Sequence, residues 1–112
     1  MSISYQEIGA WCATFAADEV EEGHVVKVSG NAKVSECDSG DAFCGVVSAL
    51  DDDACSVQLG GMVSVAYSGT APSAGFAILV ADGDGGVKSA ESGTAYLVSE
   101  VNTTAGTLTI KL

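Results

Sequence analysis

His24 is the single histidine of the 112-residue chain, and Glu21 and Glu22 precede it closely. An imidazole beside carboxylates is the pairing that general acid–base catalysis uses. Here the histidine enters a Val-rich stretch, Val25–Val26–Lys27–Val28, and reads as a solvent-facing strand residue. Asp82–Gly83–Asp84–Gly85–Gly86 begins like a calcium loop. That motif requires a Glu at the twelfth loop position, where this chain has Gly93, so the segment reads as a tight turn. Asp51–Asp52–Asp53 also reads as a turn, because three adjacent carboxylates at a strand connection do not converge on one ion. Cys12, Cys37, Cys44 and Cys55 form no C-x-x-C pair and, with one histidine, no zinc signature. Cys44–Cys55 is the obvious disulfide to consider. A hairpin turning at Asp51–Asp53 sets Cys55 opposite Ala49, however, and leaves Cys44 far up the strand, so buried free thiols are expected. No serine lies in a nucleophile elbow, and no H-E-x-x-H or phosphate loop occurs. These residues point to no catalytic group, no metal and no cofactor.

The elements that carry these side chains are short strands. Residues 42–67 read as a β-meander: Phe43, Val46, Val47 and Leu50 on the first strand, Val57 and Leu59 on the second, Val63, Val65 and Tyr67 on the third. Alternation at period two marks a strand with one face on a core. Asp51–Asp53 punctuates the first junction and Gly60–Gly61 the second. Upstream, Val26 and Val28 share a strand face, Gly30–Asn31 reads as a two-residue hairpin turn, and residues 32–34 return. Downstream, Phe76–Ala81 is apolar enough to be buried on both faces. Residues 96–101 and 107–112 form a last hairpin, with Leu108, Ile110 and Leu112 facing in. The expected fold is all-β, a small barrel or sandwich of about eight or nine short strands with an extended N-terminal arm. Residues 1–17 form the arm and residues 18–112 the single β-rich domain, with no confident helix.

Composition narrows the partners. Four Lys, no Arg and 15 acidic residues give a net charge of −11. Phosphate neutralisation needs clustered cations, so neither nucleic acid nor an anionic membrane is expected as a partner. The N-terminal stretch shows neither a secretory signal nor a membrane-length apolar run, and synthesis in the cytoplasm is expected. Residues 1–17 stand apart. They hold the only Trp with one charged side chain, Glu7, and Trp and Tyr are interface-anchoring types. The segment either packs on its own core or orders on a partner.

From about Thr14 to Leu112 the chain resembles the capsid-cement, or head decoration, proteins of tailed bacteriophages. The resemblance lies in the order and spacing of several segments. They are an acidic lead into Gly23–His24–Val25–Val26–Lys27–Val28, then Gly40–Asp41–Ala42–Phe43–Cys44–Gly45–Val46–Val47, then Val57 to Val65. An apolar strand before Asp82–Gly83–Asp84–Gly85–Gly86–Val87–Lys88 and the closing Gly106 to Leu112 strand complete it. His24 stands where the family usually has Asp. The resemblance implies a virion structural protein, made in the bacterial cytoplasm and bound to the outer capsid surface. It also implies a homotrimer that clamps neighbouring capsomers of the major capsid protein. The arm would then dock on the shell through Ile3, Tyr5, Ile8, Trp11 and Phe15, its backbone adding to a sheet edge. Two other readings stand beside it. One is a lipoyl- or biotinyl-like carrier domain with Lys33 as the modified residue, although Lys33 follows the hairpin turn and is flanked by Ala32 and Val34. The other is a glycan-binding adhesive domain, for which Tyr67 and Tyr96 in central strands are a sparse set for sugar stacking.

Overall fold

The short Val-rich runs fold into strands, with glycine-containing turns between most of them. The computed structural model describes residues 10–112, and it contains ten strands and no helix among them. In chain order they are β1 (Trp11–Asp18), β2 (Val25–Gly30), β3 (Lys33–Glu36), β4 (Gly45–Leu50), β5 (Ala54–Gly60), β6 (Met62–Ala66), β7 (Gly75–Ala81), β8 (Val87–Ser89), β9 (Thr94–Asn102) and β10 (Thr107–Lys111). The first five close into a barrel in the order β1-β3-β2-β4-β5. The other five form a second sheet, β6-β10-β9-β7-β8. A single parallel bridge, Tyr67 to Val87, links the two ends of that sheet. The all-β expectation holds, with both a barrel and a separate sheet present.

Strand β1 has no counterpart in the periodicity reading. It closes the barrel by pairing antiparallel with β5, from Cys12 opposite Gln58 to Ala16 opposite Ala54. On its other side it runs parallel to β3, Ala16 beside Lys33. A register shift separates Trp11 from Cys12, and from Cys12 to Asp18 exposed and half-buried positions alternate. Residues 11–17 of the expected arm are therefore part of the barrel wall.

The meander is corrected. β4 and β5 do form a hairpin, Leu50 opposite Cys55. After Gly60, however, the chain leaves the barrel, and β6 pairs with β10 of the second sheet. Gly61 makes this crossing at φ +86, and Ala10 packs so closely against it that a Cβ would collide. Glycine is required there for conformation and for space alike. The first hairpin turn is also displaced. Gly30 pairs with Lys33, so Asn31 and Ala32 form the tip, and Ala32 takes the left-handed φ of 53.

Two apolar cores share one wall. Val26, Val34, Val47, Cys55 and Val57 fill the barrel, with Val20 beside them. Val25, Cys37, Phe43 and Val46 line the outside of that wall and pack against Val65, Leu79, Ala81, Val87, Val98, Leu108 and Ile110 of the second sheet. Successive strand residues point to opposite faces. Val25 and Val26 thus enter different cores, as do Val46 and Val47. Val26 and Val28 share a face by parity, but only Val26 is buried, and Val28 is 56% exposed. Phe43 stacks on Tyr96 at 4.9 Å between ring centroids and fastens the barrel to the sheet.

Candidate functional site

The local sequence positions the exposed aromatics by strand parity and bulges. On β1, Phe15 turns inward and packs against the barrel core. Trp11, just before the register shift, stays 58% exposed. Its indole lies over Gly60, where any side chain would collide with it. Ile3, Tyr5 and Ile8 lie outside the described residues. Of the arm residues chosen from sequence, Trp11 is thus a surface group and Phe15 a barrel residue. Leu112 donates its backbone N–H to Gly61 O at 2.9 Å, which brings the last residue to the same end of the molecule as Trp11.

A second surface went unnoticed in the sequence. Phe76, expected to be buried, is 79% exposed. It is the second residue of β7, whose last three residues, Leu79, Val80 and Ala81, are the buried ones. Phe76 stands opposite Leu97, Leu97 opposite Lys111, and Lys111 opposite Met62. Cross-strand partners share a face, so these four form one outward row across β7, β9, β10 and β6. The inward partners alongside are Val98 and Ile110, both buried. A shallow groove lined by Phe76, Thr94, Ala95, Leu97, Lys111 and Leu112 runs along this face. The available signal was the alternation of Leu108 and Ile110 with Thr109 and Lys111, which fixes the outer face of β10. Nothing comparable separates Phe76 from the apolar residues that follow it.

Charge is divided unevenly between the two halves. Residues 10–60 hold ten carboxylates and two lysines, and residues 61–112 hold four carboxylates and two lysines. Strands β6, β7, β9 and β10 carry only Glu100 and Lys111. All four lysines are engaged. Lys27 Nζ donates to Asp41 Oδ2 at 2.7 Å, with Asp38 at 3.6 Å. Lys33 lies 3.8 Å from Asp18. Lys88 donates to Ser39 Oγ at 2.6 Å, and Lys111 reaches Leu112 O at 3.4 Å. The hydrogen bond to Asp41 raises the Lys27 pKa, and the same bond, helped by the Asp38 N–H, lowers that of Asp41.

The groups first considered for chemistry have structural partners. His24 is half-buried, its Nδ1 at 2.7 Å from Glu36 and its Nε2 at 3.3 Å from Glu21, with the Gly85 backbone packed on its ring. Glu36 is the partner that the sequence did not suggest. Asp82 Oδ1 accepts the Asp84 and Gly86 N–H groups at 2.7 and 3.1 Å, and Oδ2 accepts the Ser68 hydroxyl at 3.0 Å. Its carboxylate is thereby committed to the turn. Among the described residues no group of three or more His, Cys, Asp or Glu side chains is arranged to hold a metal. All four cysteines are free. Burial pushes the Cys37 thiol up to about 11 and raises those of Cys44 and Cys55. Lys33 heads β3 beside the hairpin tip and not at it. No protein-family model matches the chain, and no curated protein matches its sequence.

Proposed function

We propose that this chain is a capsid-cement protein, binding the outer surface of a tailed-phage shell and bridging capsomers of the major capsid protein. The observation that carries the reading is the attachment of residues 1–10. That stretch has one charged side chain and includes Ile3, Tyr5 and Ile8. It joins the barrel at exposed Trp11, on a strand paired with β5 from Trp11 to Ala16 and with β3 from Ala16 to Asp18. The segment joined to the domain at this exposed residue is thus aromatic and nearly neutral in sequence. Backbone pairing to a capsid edge supplies affinity, and Ile3, Tyr5, Ile8 and Trp11 supply pocket contacts. Phe15, partly buried against the barrel core, belongs to the strand that follows the arm. Assembly as a homotrimer, which the family resemblance implies, presents three arms at once and multiplies weak single contacts by roughly a hundredfold or more. The reading involves no catalysis and no cofactor, and it locates the protein on the virion surface after synthesis in the host cytoplasm.

The test is co-sedimentation with empty expanded phage shells. The full chain is expected to pellet at a saturating, fixed ratio per hexamer. A chain lacking residues 1–9 keeps β1 and is expected to remain folded but stay in the supernatant. Full-affinity binding by the shortened chain would rule out arm docking. Failure of the intact chain to bind any shell would remove the cement reading, and intact mass at Lys33 and a glycan array would then test the carrier and adhesive alternatives.

A further inference from the structure

We infer that copies of this chain meet through the outer face of the second sheet, with Phe76 as the aromatic anchor. This deepens the self-association in the proposed function and does not depend on shell binding. A chain of net charge −11 repels its copies, so self-contact is favoured where carboxylates are fewest. The barrel half, with ten carboxylates against two lysines, is the wrong surface. The β6-β10-β9-β7 face has two charged side chains, of opposite sign, and a Phe that is 79% exposed. Large exposed aromatics surrounded by apolar neighbours are the residues that dominate interfaces.

The occupant is a second copy because the face complements itself. Thr109 stands opposite Glu100, between the inward pairs Leu108–Val101 and Ile110–Val98. Glu100 therefore projects from the same face as Lys111. Glu100, Leu97 and Phe76 lie on the β9–β7 half, and Lys111 and Met62 on the β10–β6 half. Turned toward a common axis, the first half of one copy meets the second half of the next, head to tail. Phe76 and Leu97 then cover Met62 and the Lys111 stem, and Glu100 pairs with the next copy's Lys111. A head-to-tail contact of this kind closes into a ring when its rotation permits, and three is the number of copies that the family resemblance implies.

Sedimentation velocity over a range of concentrations tests the inference without shells. The native chain is expected to run as a trimer. Phe76→Asp is expected to shift it to monomer, weakening assembly by roughly thirtyfold or more, as loss of an aromatic anchor does. Unchanged circular dichroism would show that the variant folds. Should it not fold, charge exchange decides. Lys111→Glu and Glu100→Lys are each expected to weaken the trimer, and the double exchange to restore it. A native chain that stays monomeric at every concentration would overturn the inference while leaving shell binding to its own assay. So would a trimer indifferent to Phe76→Asp, or a double exchange that fails to restore assembly.

Discussion

Individual side chains in this protein differ in how far water reaches them, and two consequences can be measured. The thiolate is the reactive form of cysteine. Burial raises the pKa values of Cys37, Cys44 and Cys55, whereas Cys12 is exposed beside Ser48, at 3.8 Å. A thiol reagent at neutral pH is therefore expected to modify one cysteine rapidly in the native chain and all four after denaturation. Cys12→Ser should abolish the rapid phase. The Lys27–Asp41 pair sets two pH limits. The lowered Asp41 pKa contributes stability above its ordinary value of 3.8, and this is lost as pH falls through the folded value. The raised Lys27 pKa contributes below 10.5, and this is lost as pH rises through its folded value. The destabilisation caused by Asp41→Asn should accordingly be constant near neutral pH and shrink at both extremes, as urea denaturation of the two proteins would show. Both side chains are solvent-accessible, so the effect is small and salt-sensitive.

At the scale of elements, the hairpin tip between β2 and β3 is under strain that one substitution relieves. Ala32 holds a left-handed φ of 53, a conformation that disfavours any side chain with a Cβ. Ala32→Gly is expected to stabilise the chain by about 0.5–1 kcal/mol. Thermal unfolding should then rise by roughly 2–6 °C. That tip also illustrates how far sequence reaches. Most strands were legible because short apolar runs lie between turn residues, with apolar and polar residues alternating at period two along β5, β6 and β10. Partners were not legible. Gly60–Gly61 carries the same signal whether the chain folds back or crosses to another sheet, and only the β6–β10 pairing decides between them. Strand β1 stayed hidden because its outward positions include Cys12 and Ala16, which are not polar markers. On the candidate surfaces, Trp11 was recognisable from its type. Phe76 was not, because exposure of a residue near the start of an apolar strand depends on what packs above it. Phe15 looked equally suited to docking, and parity alone turned it inward.

At the scale of the whole molecule, the wall shared by β2 and β4 couples the two cores. Val25 and Val26 are both completely buried but serve different cores. Truncation to Ala at either position is expected to cost roughly 2 kcal/mol or more. Because neither core retains its wall without the other, each variant should still unfold in one cooperative transition with the native m-value. Separate transitions for the second sheet and the barrel would show that the cores are independent. The barrel itself sets an order of events during synthesis. Strand β1 is the first of the ten to leave the ribosome, yet its antiparallel partner β5 is among the segments made some forty residues later. Until then Trp11 and Phe15 emerge with no β5 to close against. Barrels built on such distant pairings fold in milliseconds to seconds, slower than helical chains of similar length. An interrupted chain ending before β5 would expose that apolar strand, so the completeness of translation, and not only the stability of the finished fold, governs how much of this protein stays soluble in the cell.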